Sequence, residues 1–313
     1  LDLHSYDLIL SSTTGFAKAV QKRPDAIHIC FCHNITRFLW DTEGYLRQYK
    51  RYKKLSALIR PIFARMKRSD FQHAQNPDVY IANSTTVAKR IESTYHCPAT
   101  TINFPIEVNN FAFSSQKDDF YLVSSRLIGY KRIDVIVEAF NWLGLPLLII
   151  GTGPEKSRLE ANALDNIVFL GHVSDLERSH LMSKAQAVIV AALEDYGLVP
   201  IEANASGTPV IAYGAGGVLD TQIPGKTGVF FMRQSPEALQ AAVIEATQTR
   251  WNYGEIRNHA LSHFSEDTFF SQVDRMIERV LAHTAGHEKE CSGDKKSLKK
   301  PMSEQKTTIS TLT

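Results

Sequence analysis

The chain has few cysteines, almost no net charge and no long apolar run, and each shortage removes a class of protein. Its 4 cysteines in 313 residues, Cys30, Cys32, Cys97 and Cys291, follow no regular spacing. A disulfide framework is therefore excluded, and free thiols in a reducing compartment are expected. Cys30, Cys32 and His33 lie close enough in sequence to suggest a metal site. A strand, however, would turn both cysteines to one face, into a core, and no second ligand pair occurs elsewhere, so no metal is expected. No run reaches the ~18–20 apolar residues that span a bilayer, and no secretory leader pattern is read; a cytoplasmic protein is expected. The formal charge of +2 resides wholly in residues 283–313, because the rest balances 29 basic against 29 acidic side chains. That evenness leaves no electrostatic footprint for a nucleic acid.

What is present is an ordinary globular composition, 43% apolar, on a chain long enough for two domains. Segments such as "YDLILSS", "AIHICFCH", "FYLVSSR", "PLLIIGTGP" and "QAVIVAA" are short apolar strands, and helices of similar length separate them. That alternation predicts an α/β architecture of parallel sheets covered on both faces. The expected organisation is a partial domain over 1–108, a linker over 109–119 without either periodicity, a second domain over 120–265, a helix over 266–282 and a disordered tail over 283–313. The second domain reads as complete. In the first, only three or four strands are found, and the chain opens on Leu1 rather than methionine. A fragment lacking an opening strand and glycine turn is expected.

Residues 193–217, "LEDYGLVPIEANASGTPVIAYGAGG", concentrate the chemistry. The turn "EDYGLVP" leads into a helix expected to begin near Pro200, whose amide end is receptive to anions. Gly197 permits close backbone approach. Glu202, placed on the first turn, can accept from the vicinal hydroxyls of a ribose, and Glu194 points into the crevice where open α/β sheets bind ligands. Arg126 and Lys131 in "SSRLIGYKR" sit at another strand-to-helix turn, where cations oppose the helix dipole. Cations fixed there suit a diphosphate whose charge grows as it departs. "GTGPEKSRL" fails as a dinucleotide fingerprint, since Lys156 stands where a third glycine would follow Gly151 and Gly153. A turn lining a nucleotide crevice fits better. In "FLGHVSDLE" the backbone of His172 and Val173 can pair with a base edge, and "GAGG" (214–217) suits tight packing or a sugar-facing loop.

Taken together, "SRLIGYKRIDVIVEAF", "LLIIGTGPE", "VFLGHVSD" and "EDYGLVPIEANASGTPVIAYGAGGVLDTQIPGKTGVFF" resemble the donor-nucleotide domain of family 4 retaining glycosyltransferases, in order and in spacing. The resemblance, over about 1–281, implies the GT-B architecture of two facing Rossmann-like domains, here with the first incomplete. It implies that Arg126 and Lys131 bind the donor diphosphate and Glu194 contacts the donor hexose. Tyr196, Gly197 and Leu198 would offer backbone contacts, Glu202 would hold the ribose and Val173 the base, with no metal or other cofactor. "DAIHICFCHNITRFLWD" (25–41) is similar to a strand and loop of bacterial mannosyltransferases of polysaccharide assembly, with His33 matching a histidine near the donor sugar; Arg37, Trp40 and Asp41 also match. Asn34, Ile35 and Phe38 depart from that pattern and bear on loop shape and acceptor choice. The implied reaction moves a hexose, mannose from GDP-mannose, onto a glycan or lipid-linked hydroxyl. A truncated, inactive homologue that binds a nucleotide sugar or a partner without turnover is the alternative.

Residues 45–68, "YLRQYKRYKKLSALIRPIFARMKR", carry nine Lys or Arg and no acid. Tyr45, Tyr49, Tyr52, Leu55, Ile59, Ile62 and Met66 keep helical spacing. The helix therefore lies on an anionic membrane at its inner face, or packs on the sheet with one solvated side; both readings stand. Pro61 is expected to end or bend it.

Overall fold

The computed structural model describes residues 3–41 and 56–291. The first domain contains β1 (Leu8–Thr13), β2 (Ile27–Cys32), α1 (Arg37–Trp40), α2 (Ser56–His73), β3 (Val79–Ala82), α3 (Thr85–Tyr95) and β4 (Ala99–Thr101). The second begins with β5 (Tyr121–Ser124), α4 (Ile133–Leu143), β6 (Leu147–Ile150), α5 (Lys156–Glu160), β7 (Ile167–Gly171) and α6 (Asp175–Lys184). It continues with β8 (Val188–Val190), α7 (Leu198–Ala205), β9 (Val210–Tyr213), α8 (Val218–Thr221) and β10 (Gly228–Phe231). Helices α9 (Pro236–Gln248), α10 (Tyr253–Phe264) and α11 (Glu266–Cys291) follow.

Both sheets are parallel throughout the described residues, in the orders β1-β2-β3-β4 and β10-β9-β8-β5-β6-β7. Strands such as "LLII" and "VIV" lack polar alternation because helices cover both faces of the sheet. One core lies beneath α4 and α9, built on Val123, Ile136, Phe140 and Ile149; the other lies beneath α7 and α10, built on Leu122, Val188, Ile201 and Phe264. In the second sheet the chain runs outward from β5 to β7, then returns to the other side of β5 at β8. The crevice between the carboxyl ends of β5 and β8 is therefore the topological switch point, where such sheets bind ligands.

In the first domain, Cys30 and Cys32 are both buried in one cluster with Tyr80 and Ile91, as the strand reading expects. Burial raises both thiols, Cys30 to about 11 and Cys32 to about 12. The other sheet face is covered from far away in sequence: Val273 of α11 joins Ile27, Ile29, Ile81 and Ile102, with Phe269, Met276 and Ile277 around them. Helix α11 continues past the expected limit of 282 to Cys291. The remainder of the expected tail, 292–313, lies outside the described residues.

The connection between the domains is not a loose tether. Ile106, Val108 and Phe111 are buried in the second domain's core, and the Ile106 amide donates to the Phe264 carbonyl at 2.9 Å. The chain's outward crossing thus touches its return crossing at the start of α11.

The basic helix differs from expectation at two residues. Of the two effects expected of Pro61, ending the helix is excluded, since α2 runs unbroken from Ser56 to His73 with Pro61 inside it. Ile62, assigned to the apolar face, is 57% exposed. The inward anchor is a carboxylate, Asp70, which accepts from Lys18 Nζ (2.6 Å), Thr36 Oγ1 (2.8 Å), Trp40 Nε1 (2.7 Å) and Tyr95 Oη (2.8 Å). Buried charge is tolerated there because every partner is present. Residues 45–55 of the expected helix lie outside the described residues.

His28, on β2, is buried against Ser11 Oγ at 2.7 Å. Burial is the largest influence and lowers its pKa to about 4. The folded state thus holds a neutral imidazole that the unfolded chain protonates from about pH 6.5 downward. Its contribution to stability is complete above pH 6.5 and is lost as the pH falls towards 4. Urea unfolding at pH 7.5 and 4.5 should show this loss, and His28→Gln should show a smaller one.

Candidate functional site

Strand β5 ends at Ser124 and delivers Arg126 and Lys131 on a short loop that starts α4. Strand β8 ends at Val190 and delivers Glu194 on the turn that starts α7. The two loops face each other at the switch point. Arg126, Lys131, Glu194, Ser124, Ala192 and Val199 line one cavity of about 200 Å³. Lys131 Nζ lies 2.5 Å from Glu194 Oε1 and 5.1 Å from the Tyr130 ring centroid. The Arg126 guanidinium donates to Tyr130 Oη at 3.0 Å. Sequence reading brought both cations to one locus, and the structure places them there; it also adds that Lys131 and Glu194 pair directly, which the sequence does not reveal.

Gly197 is the N-cap and α7 begins at Leu198, ahead of the expected start near Pro200. Proline is well suited to the first turn, so it marks the start without being the first residue. Glu202 accordingly falls in the second turn rather than the first. There it accepts from the Arg178 guanidinium of α6. Arg178 was missed, although it occupies the first turn of α6, where a cation opposes the dipole. The same signal singled out Arg126 and Lys131.

The glycines meet neighbouring backbone closely. A Cβ at Gly153 would lie 2.3 Å from the Leu127 carbonyl oxygen, and one at Gly151 would lie 1.8 Å from that of Ser125. The turn "GTGP" therefore presses against the backbone that carries Arg126, and sets the position of that loop. Gly217 of the cluster 214–217 packs likewise against Tyr196, where a Cβ would lie 2.3 Å from the Tyr196 Cα, and its amide donates to the Glu194 carbonyl at 2.8 Å. His172 is exposed and Val173 half-buried just after β7, whose last residue, Gly171, accepts from the Gly151 amide at 2.7 Å. The Tyr196 side chain is buried, and its hydroxyl donates to the Phe104 carbonyl at 2.6 Å.

His33 directly follows β2 in the facing domain, half-buried. Its Nε2 stands 2.7 Å from Ser12 Oγ, and its ring packs edge-on against Phe104, centroids 4.5 Å apart. Burial lowers its pKa, which favours the neutral imidazole. The next residue, Asn34, donates from Nδ2 to Asp195 Oδ2 at 2.5 Å, and Asp195 directly follows Glu194. His33 and Glu194 therefore flank one contact between the domains. Trp40 and Arg37 serve the same loop, Trp40 through Asp70 and Arg37 through Asp195 at 3.0 Å. Asn34, Arg90 and Asp195 were not singled out for binding, because their partners lie more than a hundred residues away.

Residues 107–261 match the family model described as glycosyl transferases group 1. The chain is 26% identical over 230 residues to the O-antigen chain mannosyltransferase C of Escherichia coli, covering 66% of this chain and 58% of that one. It is 30% identical over 139 residues to the GDP-mannose-dependent alpha-(1-6)-phosphatidylinositol monomannoside mannosyltransferase of Mycobacterium tuberculosis, covering 39% and 36%. The chain thus spans about half the length of such relatives, or less. Its fold is similar to that of sucrose-phosphate synthase from Thermosynechococcus elongatus, with a TM-score of 0.68, 19% identity and coverage of 89% and 75%. Anabaena HepE in complex with UDP gives 0.66, 16%, 88% and 79%. The architecture is GT-B, as the sequence implied.

Proposed function

We propose, from a chain that carries a glycosyl transferases group 1 domain on a GT-B fold, that it transfers a hexose from a nucleoside diphosphate to a hydroxyl acceptor, with retention of configuration. The observation that carries this reading is the convergence of Arg126, Lys131 and Glu194 on one cavity at the switch point, beside the amide end of α7. In this reading the diphosphate lies between the two cations and the amides of Gly197 and Leu198. Glu194 holds hydroxyls of the hexose, Glu202 the ribose, and the backbone at His172 and Val173 the base. The bond between the anomeric carbon and the diphosphate oxygen breaks with its electron pair leaving on the diphosphate. Arg126 and Lys131 counter that charge at the cavity, so in this reading no metal or other cofactor is needed. The acceptor oxygen then bonds to the same face of the sugar, past the neutral His33, and its proton passes to the departing diphosphate oxygen.

Mannose from GDP-mannose is the donor we favour, on the resemblance of residues 25–41 and on mannosyltransferase relatives such as those of E. coli and M. tuberculosis. A glycan or lipid-linked acceptor fits the same relatives. Among the described residues no helix is long and apolar enough to cross a membrane. Contact with the inner face, if the acceptor is lipid-linked, falls to the basic side of α2, where Arg60, Arg65 and Arg68 lie.

Calorimetry with GDP-mannose, UDP-glucose and their free diphosphates tests this reading. GDP-mannose should bind, and Arg126→Ala should weaken binding by about 10- to 100-fold, the loss of a charge-assisted contact. Failure of every nucleotide to bind would overturn the proposal. Binding without transfer to any hydroxyl would leave the inactive homologue in its place.

A further inference from the structure

Asp195 stands between Glu194 and Tyr196, yet its side chain serves neither. Glu194 is held by the second domain, its carbonyl by the Gly217 amide and its carboxylate by Lys131. The Tyr196 hydroxyl is tied to the connection at Phe104. The Asp195 carboxylate instead crosses to the first domain. Oδ2 accepts from Asn34 Nδ2 at 2.5 Å and from Arg37 Nη1 at 3.0 Å, and Oδ1 accepts from Arg90 Nη1 at 2.9 Å.

These donors come from the end of β2, from α1 and from α3, so three elements of one domain meet a single carboxylate of the other. The Asn34 amide is itself fixed: its Oδ1 accepts from Arg90 Nη1 at 2.7 Å and from the Ile35 amide at 2.9 Å, which aims Nδ2 at Asp195. Ser84, the N-cap of α3, accepts from the Val87 amide at 3.1 Å and donates to the Asp195 carbonyl at 2.5 Å. A second, smaller contact lies nearby, where Asp220 accepts from the amide and hydroxyl of Thr85 at 2.9 and 2.7 Å.

We propose that Asp195 is a positioning residue: by docking Asn34, Arg37 and Arg90 onto the 194–197 turn, it sets Glu194 against His33 across the cleft. The chain geometry makes this possible, because adjacent residues send one carboxylate into the donor cavity and the next into the facing domain. Movement of the first domain therefore acts on the residue beside Glu194 with no intermediary. The part of this inference that concerns turnover rests on the function proposed above; the docking itself does not.

Small-angle scattering on the full chain, with no nucleotide present, reads the docking. The native protein should be compact at low salt and expand near 1 M salt, where screening shortens to about 3 Å. Asp195→Asn, which keeps shape and removes charge, should be expanded at both. Turnover of the donor identified above reads the positioning: kcat should fall on the order of tenfold, while the donor Kd stays within about threefold and Asp195→Glu recovers part of the loss. Arg37→Gln with Arg90→Gln should reproduce the effect from the other domain, and takes over should Asp195→Asn fail to fold. Equal radii of gyration for native and variants at low salt would overturn the docking. Unchanged kcat in expanded variants would overturn the positioning. If the native chain binds no nucleoside diphosphate, the proposed function fails and the positioning role falls with it, while scattering alone decides the docking.

Discussion

Lys131→Ala is expected to lower kcat/KM for the nucleotide sugar by about 100- to 1,000-fold, mostly through kcat. Two losses coincide in this variant. The departing diphosphate forfeits a cation in a half-enclosed cavity of about 200 Å³, and Glu194 forfeits the ammonium that lies 2.5 Å from its carboxylate. A carboxylate released in this way faces the incoming diphosphate with like charge. Lys131→Arg should recover only part of the activity, because a planar guanidinium cannot occupy the point position between Glu194 and the Tyr130 ring. Steady-state kinetics of the two variants, with circular dichroism to confirm folding, settles the matter. A kcat within threefold of native for Lys131→Ala would remove Lys131 from the mechanism.

Asp70→Ala is expected to cost about 3–5 kcal/mol of folding stability, the penalty for leaving a buried charge without its partner. Lys18 and Asp70 are 2% and 1% exposed, and Thr36, Trp40 and Tyr95 also donate to the carboxylate. Burial alone would raise the Asp70 pKa; its bonds to Lys18, Trp40 and Thr36 outweigh burial, and the net value lies below the ordinary 3.8. A depressed folded value means that this stabilisation is fully present above pH 3.8 and disappears as the pH falls through the lower folded pKa. Chemical denaturation at pH 7 and in acid checks both magnitude and sign. Adding Lys18→Met to Asp70→Ala should restore part of the loss by removing the stranded ammonium. If Asp70→Ala unfolds at native denaturant concentrations, the network holds nothing that matters.

Much of the fold was legible because parallel strands buried on both faces are written as uninterrupted apolar runs, and "LLII", "VIV" and "VIAY" all became strands. The cationic pair and Glu194 were legible for a local reason: each breaks a helix-start rule or sits just past a strand end, and both signals are visible within ten residues. What the sequence concealed were pairings over distance. Nothing near Glu202 announces Arg178, and nothing near Asp195 announces Arg90. Helix α2 misled for another reason. Periodicity counts apolar residues, whereas this helix is anchored by Asp70, so the inferred face was rotated and Ile62 was left in solvent. Glycine turns conceal in their own way: "GTGP" needs glycine for neighbouring backbone, and a one-dimensional pattern does not show that contact.

Within the described residues the chain passes between its two halves twice, at Ile106 and just beyond Phe264, and the two passages are bonded to each other. A body hung from a single strand can swivel in every direction; one hung from two adjoining strands swings like a door, about the line through both pins. Were the mouth between the halves to open, such pins would confine it to one angle. The side chains of Arg37 and Arg90 would then return to the same spot at each closure.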